Sequence, residues 1–294
     1  MRRSLRALAL AAGLGALSVG VLNATQAVVQ PARVPVHRGY RVNADVSLRI
    51  YVPAGRVRIV AWDRDSIDVA GTVAASAAFF GGGGGTHAKL GVESRNQQDT
   101  TLANADLVVS VPRKARAWVK LTTGSIDATG VTGELELYAV GGSIEVQRGS
   151  GVLSVESIDA GVSVSGFSGA LRVRNGKAQV RLADIVGTAS VASVSGSVEL
   201  TGASAPDARV ETIGGRIDVS VKRFGGATLD LQTHSGDITI DADKSRAPAF
   251  DVLSRGGKVS NPVTAGNPKE GRVTARSFKG AINVRVTGGI EGTR

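Results

Sequence analysis

The chain has 294 residues, of which 39 are glycine, 4% are aromatic and none is cysteine. Without cysteine it forms no disulfide, thiolate metal site, cysteine nucleophile or acylated lipoprotein terminus. A hydrophobic fraction of 42% argues against a disordered chain, and few aromatic residues with abundant glycine argue against a compact helical domain. The net charge of +10 is spread along the chain without a nucleic-acid-binding motif, so nucleic acid is not an expected partner.

The first 27 residues have the organisation of an export signal. Residues 1–6 are basic, residues 7–22 are uncharged and mostly apolar, and Thr25 and Ala27 are small side chains at a cleavage site. The apolar stretch is shorter than the about 20 residues that span a bilayer as a helix. We therefore predict a signal peptide over residues 1–27, with a retained anchor as the alternative. After cleavage no integral membrane domain remains, and the location is periplasmic, cell-surface or secreted.

The next part of the chain is less regular. Residues 28–44 contain two prolines and several basic side chains and are predicted to be a polar leader. Residues 45–115 begin with one copy of the repeat described below, at 48–59, and are predicted to form an N-terminal β cap and first rung. The cap has antiparallel strands near residues 67–69, 90–92 and 107–111, because an open rung would expose a bare sheet edge. Residues 79–85, with five consecutive glycines, are predicted to be a flexible loop.

Residues 116–287 repeat one template, apolar-x-apolar-x-small-x-x-Gly-x-apolar-x-apolar, about every 20 residues. Alternation on both sides of the glycine predicts two short strands with inward and outward side chains, and glycine permits a tight corner between them. Neither strand buries its apolar face alone, so the rungs must stack. The glycine column reads Gly124, Gly142, Ala160, Gly176, Gly196, Gly215, Gly236, Gly257 and Gly280.

This pattern predicts an all-β fold, a single-chain β-solenoid of the β-helix or β-roll kind. It would have about nine rungs of about 20 residues, an N-terminal β cap and a flexible tail at residues 288–294. Three positions before the glycine, most rungs carry a hydroxyl that we expect to satisfy backbone groups of the corner. That column reads Ser157, Ser193, Thr212, Thr233, Ser254 and Ser277.

Residues that carry catalytic or metal chemistry do not converge in the sequence. His37, His87 and His234 are the only histidines, and no two have metal-ligand spacing. An outward column three residues after the glycine starts with Asp127 and Glu145, but uncharged residues interrupt it, which disfavours a row of Ca²⁺ sites. We therefore predict no enzyme, no catalytic residue, no metal and no cofactor.

One outward surface combines aromatic and charged side chains. Trp118 and Glu136 share one outward column in successive rungs, and Lys120 and Tyr138 share the next column with Tyr51. Aromatic rings beside polar groups are suited to recognition, because one ring face is apolar while the neighbouring groups form hydrogen bonds. We predict Trp118, Tyr138, Lys120 and Glu136 to be a candidate binding surface.

Three features together resemble the bacterial putative-adhesin family of unknown function. They are the segment LRIYVPAGRVRI at 48–59, the strand VSVP at 109–112, and the repeated units Gly-Ser-Ile-Asp/Glu. The resemblance covers roughly residues 45–285. It implies an exported β-solenoid of the cell envelope without known catalytic residues.

The leading functional hypothesis is a non-enzymatic cell-envelope protein, an adhesin or scaffold that presents a repetitive solenoid surface. Two alternatives stay open. One is a glycan-binding or glycan-cleaving solenoid that acts on envelope polysaccharide, which requires carboxylates and aromatic rings to converge in a groove. The other is a partner module of an envelope stress-sensing system, which would bind an envelope protein.

Overall fold

The computed structural model describes residues 32–96, 98, 101–263 and 265–287. Strands dominate this part of the chain, and its one helical element is the 3-10 turn Lys244–Arg246. The strands are β1 Arg33–Trp62, β2 Ser66–Ala74, β3 Ala77–Ser94, β4 Asn104–Pro112, β5 Arg116–Thr129, β6 Glu134–Gln147, β7 Ser150–Ser165, β8 Ser168–Asn175, β9 Val180–Ala183, β10 Val186–Ser193, β11 Val198–Gly202, β12 Asp207–Thr212, β13 Ile217–Val221, β14 Thr228–Thr233, β15 Ile238–Asp243, β16 Pro248–Ser254, β17 Val259–Ser260, β18 Asn267–Ser277 and β19 Ile282–Thr287.

The strands stack in parallel and in register, which confirms the predicted β-solenoid. From the N-terminal end, the layers are β3 with β4, β1, β5, β6, β7, β8 with β9, β10 with β11, β12 with β13, β14 with β15, β18 with β19, and β16 with β17. Successive layers lie about 4.8 Å apart. Alternate side chains point inward, and one continuous apolar core fills the interior along the stack.

The predicted register is wrong at one corner. Asn175 pairs with Ser157 and Val180 pairs with Val162, so Ala178 occupies the corner position that we had assigned to Gly176. The error is two residues, so the alternation of inward and outward side chains is unaffected. Asn175 thereby joins the hydroxyl column, and its Nδ2 donates to Ser157 Oγ over 2.8 Å and to the Ala160 carbonyl over 3.1 Å.

The glycine corner has two forms. In β1, β5 and β6 a single strand runs through it, the glycines have positive φ, and the position three residues earlier is apolar. From β8 onward the corner separates two strands, as predicted, and that position holds a buried hydroxyl or amide. Thr212 is typical, because its Oγ1 donates to the Gly215 carbonyl over 3.0 Å and accepts from the Gly215 N–H over 2.6 Å.

The N-terminal end differs from the predicted leader and cap. From Arg33 onward the predicted polar leader is wrong, because residues 33–44 belong to β1, where residues 33–41 pair antiparallel with β2. β3 and β4 are parallel to β1, so β2 alone of the three predicted cap strands is antiparallel. The predicted flexible loop at 79–85 lies within β3.

The C-terminal end inverts the sequence order of its layers. β18 and β19 lie directly on β14 and β15, while the earlier strands β16 and β17 form the outermost layer. The glycine corner shows the same order, because a Cβ on Gly280 would lie 1.9 Å from the Gly236 carbonyl oxygen and one on Gly257 would lie 2.1 Å from that of Gly280. Along the chain, the outermost layer of β16 and β17 therefore comes first. The layer of β18 and β19 comes after it and lies between it and the layer of β14 and β15.

A cysteine pair tests this inverted order. Thr239 and Asn283 are direct register partners on adjacent strands, whereas Thr239 and Ser260 have the Asn283 strand between them. Adjacent strands are about 4.8 Å apart, within disulfide reach, and two spacings of about 9.6 Å are beyond it. We expect Thr239→Cys/Asn283→Cys to oxidise fully, read as a mobility shift and by mass spectrometry. Cross-linking of Thr239→Cys/Ser260→Cys instead would mean that the layers follow chain order.

The predicted signal peptide at 1–27, the first residues of the predicted leader and the tail at 288–294 lie outside the described residues. Within the described residues, the structure contains no helix with the length and hydrophobicity to cross a membrane.

Candidate functional site

The predicted binding surface lies on one flat face of the solenoid. We call this the aromatic face; it consists of the outward side chains of the strands that lead into the glycine corner. Arg49, Trp118 and Glu136 are register partners in one column of this face. Tyr51, Lys120 and Tyr138 are register partners in the adjacent column. The predicted placement of both columns is confirmed, whereas their role in binding stays a prediction.

Strand alternation holds these side chains outward. The residues between them, such as Val119 and Leu137, are buried in the core and fix the orientation of each strand. Trp118 and Tyr51 are 36% and 38% exposed, which is unusual for large aromatic rings. The Lys120 Nζ lies 5.2 Å from the centroid of the Tyr138 ring, so this cation stacks on a neighbouring aromatic side chain.

A shallow trough runs along the aromatic face beside these rings. It consists of two adjoining depressions of about 480 and 570 Å³, and Glu134 and Glu136 line both of them. Ser47, Arg49, Arg116 and Trp118 line the end near β1, and small residues with Arg172 line the end near β10. The trough crosses six layers and is therefore about 24 Å long. Its length and open ends suit a linear polymer.

The charged side chains of this region have no ionic partners on the protein. Among the described residues, no ion pair involves Arg49, Arg116, Arg172, Glu134 or Glu136. The same is true of three charged neighbours in the adjacent column, Lys120, Glu156 and Arg174. Cations outnumber acids in this set, and both kinds of group remain free to contact a ligand.

Several charged side chains elsewhere on the molecule form ion pairs. In the C-terminal half of the aromatic face, Arg209 Nε donates to Glu211 Oε1 over 2.6 Å, and Arg276 Nη1 donates to Asp251 Oδ1 over 2.9 Å. The hydrogen bonds from Arg276 hold the pKa of Asp251 below its ordinary value. The opposite face shows the same pairing, in Arg56–Asp127, Arg181–Glu199, Arg216–Asp218 and Arg285–Asp241. The trough therefore differs from these paired regions, because none of the arginine and glutamate side chains that line it forms an ion pair with another described residue.

The predicted outward column of Asp127 and Glu145 changes with the corrected register. Arg181 stands in this column instead of Gln179, because it pairs with Ser163 and Glu199. Its Nε lies 3.3 Å from Glu199 Oε2, so the column contains its own counter-charge. Across the described residues, no group of three or more histidine and acidic side chains could hold a metal ion.

The three histidines have separate surroundings. His37 Nε2 lies 3.1 Å from Asp68 Oδ1, and His87 Nδ1 lies 2.8 Å from the Thr86 hydroxyl. His234 stacks on Phe278 with ring centroids 5.0 Å apart. They do not assemble into one site.

Sequence reasoning missed three contributors to the trough, Arg49, Arg116 and Glu134. Arg49 was overlooked because only Tyr51 of the predicted first rung was aligned with the outward columns, whereas the structure also places Arg49 beside Trp118. Arg116 and Glu134 form a third outward column at the start of each strand. Extending the alternation by two more positions towards the N-terminus of each rung would have found them.

Comparison with known proteins finds one matching family and two solved structures of low sequence identity. The family model described as Toastrack DUF4097 matches residues 46–287. A putative cell adhesion protein from Clostridium sporogenes is 10% identical, with 88% of this chain and 100% of that chain covered and a TM-score of 0.28. A putative adhesin from Bacteroides fragilis is also 10% identical, with 87% and 100% covered and a TM-score of 0.43. No curated protein matches the chain.

Proposed function

The chain belongs to the Toastrack DUF4097 family, and from that premise we propose that it is a non-enzymatic cell-envelope protein that binds surface polysaccharide along its trough. In this proposal the solenoid is an adhesin or scaffold, exported to the periplasm or the cell surface by the N-terminal signal. The observation that carries the proposal is the coincidence of exposed aromatic rings with unpaired charges of both signs.

Each group in the trough has a role that sugar chemistry requires. The exposed face of Trp118 offers an apolar platform for the C–H face of a sugar ring. The carboxylates of Glu134 and Glu136 accept hydrogen bonds from hydroxyls, and the guanidinium groups of Arg49 and Arg116 donate to hydroxyl, carboxylate or phosphate oxygens. Because these groups stand in three adjacent layers, β1, β5 and β6, consecutive sugar units of one chain can be contacted at once.

Glycan cleavage is disfavoured by the direction of the carboxylates. Canonical glycosidases place two carboxyl groups on opposite sides of the scissile bond. Glu134 and Glu136 are two residues apart on one strand and project to the same side of the sheet, so they do not face each other across the trough that both of them line. They are suited to holding a sugar, and this supports a binding role without turnover.

Substitution in the trough tests the proposal. We expect Trp118→Ala and Arg49→Ala/Arg116→Ala each to weaken retention of the chain on isolated envelope polysaccharide by about tenfold, which corresponds to about 1.4 kcal/mol. Retention is measured by co-sedimentation or by affinity electrophoresis in polysaccharide gels. Unfolding is not expected to contribute, because these side chains point away from the core.

The matched control is Arg216→Ala/Arg285→Ala, which removes the same charge from the opposite face. This variant is expected to bind like the wild-type chain. Equal weakening of the trough and control variants would show that net charge alone causes retention and would count against the trough. Release of reducing sugar ends by the wild-type chain would contradict the non-enzymatic role.

A further inference from the structure

A second concave surface, separate from the trough, follows the glycine corner from β7 to the C-terminal layers. We call it the corner groove; its volume is about 1040 Å³. Its floor is the buried column of hydroxyl and amide side chains from Ser157 to Ser277, and one wall carries the last outward residues of the aromatic face. The other wall is a row of outward-pointing residues, one in each layer, and each of them directly follows the floor residue of its layer.

This protruding wall is apolar and exposed along most of its length. Ile158 is 50% exposed, Val194 53%, Ile213 58% and Phe278 45%. Gly176 interrupts the row between Ile158 and Val194, and His234, whose ring stacks on Phe278, interrupts it between Ile213 and Phe278. An exposed apolar row of this length usually marks an interaction surface.

Strand addition cannot fill this groove. The backbone groups of the corner turns bond to neighbouring layers, as when Ile213 N–H donates to the Val194 carbonyl over 3.2 Å and Ser235 N–H donates to the Ile213 carbonyl over 2.9 Å. The groove therefore presents few free backbone groups for an added strand. A partner must be recognised through side chains.

The spacing of the row favours a helix as its occupant. The apolar members Ile158, Val194, Ile213 and Phe278 are separated by steps of about 9.6, 4.8 and 9.6 Å along the stack. These steps are close to helical steps of seven, three or four, and seven residues, which are about 10.5, 4.5–6 and 10.5 Å. An α-helix repeats its apolar face about every 5.4 Å, whereas an extended chain repeats same-side residues about every 6.7 Å. From Ile158 to Phe278 the row crosses six layers, about 24 Å, which a helix of about 16 residues covers.

Charge at the ends of the groove gives the helix a direction. Near Phe278, Arg255 and Lys279 are exposed, and among the described residues neither forms an ion pair. At the Ile158 end, the formal charges of acidic Glu156 and Asp159 and of basic Arg174 and Lys177 sum to zero. The positive end complements the negative C-terminal end of a helix and any acidic residues there.

We propose that the corner groove binds an amphipathic helix of a protein partner, with the apolar face of the helix on the row Ile158, Val194, Ile213 and Phe278 and its acidic C-terminal end over Arg255 and Lys279. The proposal does not depend on polysaccharide binding, because the groove and the trough have separate linings. It gives the solenoid two functional surfaces, one for a polymer and one for a protein.

The test uses a fluorescent 18-residue peptide with leucine at heptad a and d positions, lysine in its first half and glutamate near its C-terminus. Fluorescence anisotropy measures its binding to the full chain. We expect the double variant Val194→Asp/Ile213→Asp to bind the peptide at least about tenfold more weakly than wild type. The control Val186→Asp, at a 63% exposed valine outside the groove, is expected to bind like wild type.

Four outcomes would overturn the proposal. Equal binding of a scrambled peptide without the leucine stripe, or equal binding by the double variant, would show that no helix face is recognised. Sedimentation of the wild-type chain as a dimer that Val194→Asp/Ile213→Asp dissociates would assign the groove to a second copy. Flotation of wild type, but not of that variant, with phosphatidylglycerol–phosphatidylethanolamine vesicles would assign it to a lipid surface.

Discussion

Replacing Gly142 by alanine is expected to destabilise the protein by about 4 kcal/mol or more, among the largest effects of a single substitution. Gly142 has φ +107°, which alanine rarely adopts, and a Cβ there would lie 1.8 Å from the Gly124 carbonyl oxygen. That oxygen belongs to the backbone of the adjacent layer, so relief would require two layers to move apart. Loss of the urea unfolding transition, or a large shift of it measured by circular dichroism, would show this.

The neighbouring residue gives a matched control. Gly141 adjoins Gly142 in the same strand, but a Cβ on it would meet no heavy atom within 4 Å and its φ lies outside the positive range. Gly141→Ala is therefore expected to change the free energy of unfolding by no more than about 1 kcal/mol. If both substitutions had the same effect, the close contact between layers would not be the reason that position 142 requires glycine.

Replacing Phe167 by alanine is expected to cost about 3–5 kcal/mol. Phe167 is 1% exposed and lies in the turn between β7 and β8, where the absence of a side chain on Gly149 leaves space for its ring. A Cβ on Gly149 would lie 3.2 Å from Phe167 Cδ2. Removal of the ring leaves a cavity between rigid, in-register layers that cannot collapse into it.

Urea unfolding of Phe167→Ala and of Phe278→Ala compares the loss of a buried phenyl ring with the loss of an exposed one. Phe278 is 45% exposed, and its removal is expected to cost about 1 kcal/mol or less. Equal destabilisation by the two variants would contradict the placement of Phe167 inside the stack.

The columns of the solenoid could be predicted because strand alternation has a period of two. Even the misassigned corner at Gly176, displaced by two residues, left every inward residue inward. What could not be predicted is the order of layers at the ends. Gly257 and Gly280 stand in similar templates, and among the inward positions only the one four residues after the glycine differs in polarity, with Asn261 in one layer and Val284 in the other. This single polar residue was too little to identify the outermost layer.

The first part of β1, residues 33–44, was missed because of its composition. Pro35 and the basic residues around it are typical of a loop, yet residues 33–41 pair with β2 on one side and lie at an edge of the sheet. An edge strand tolerates proline because the missing N–H has no partner to lose on the open side. The composition of this segment thus indicated that it is exposed to solvent, but it did not indicate that its backbone forms a strand.

The binding surface was predicted in part for the same physical reason as the fold. Trp118, Glu136, Lys120 and Tyr138 occupy outward positions that alternation alone identifies. Their significance depends on which charges are paired, and pairing depends on neighbours in adjacent layers. Arg209 and Arg172 stand in the same outward column, but only Arg209 lies beside acids that neutralise it.

The most direct test of the trough is co-sedimentation of the purified chain with isolated peptidoglycan and lipopolysaccharide across a salt series. We predict retention on at least one polymer that survives about 1 M salt, where the Debye length falls to about 3 Å and long-range attraction is screened. Stacking on Trp118 and short hydrogen bonds in the trough would persist under those conditions. Complete release from both polymers at physiological salt would contradict polysaccharide binding along the trough.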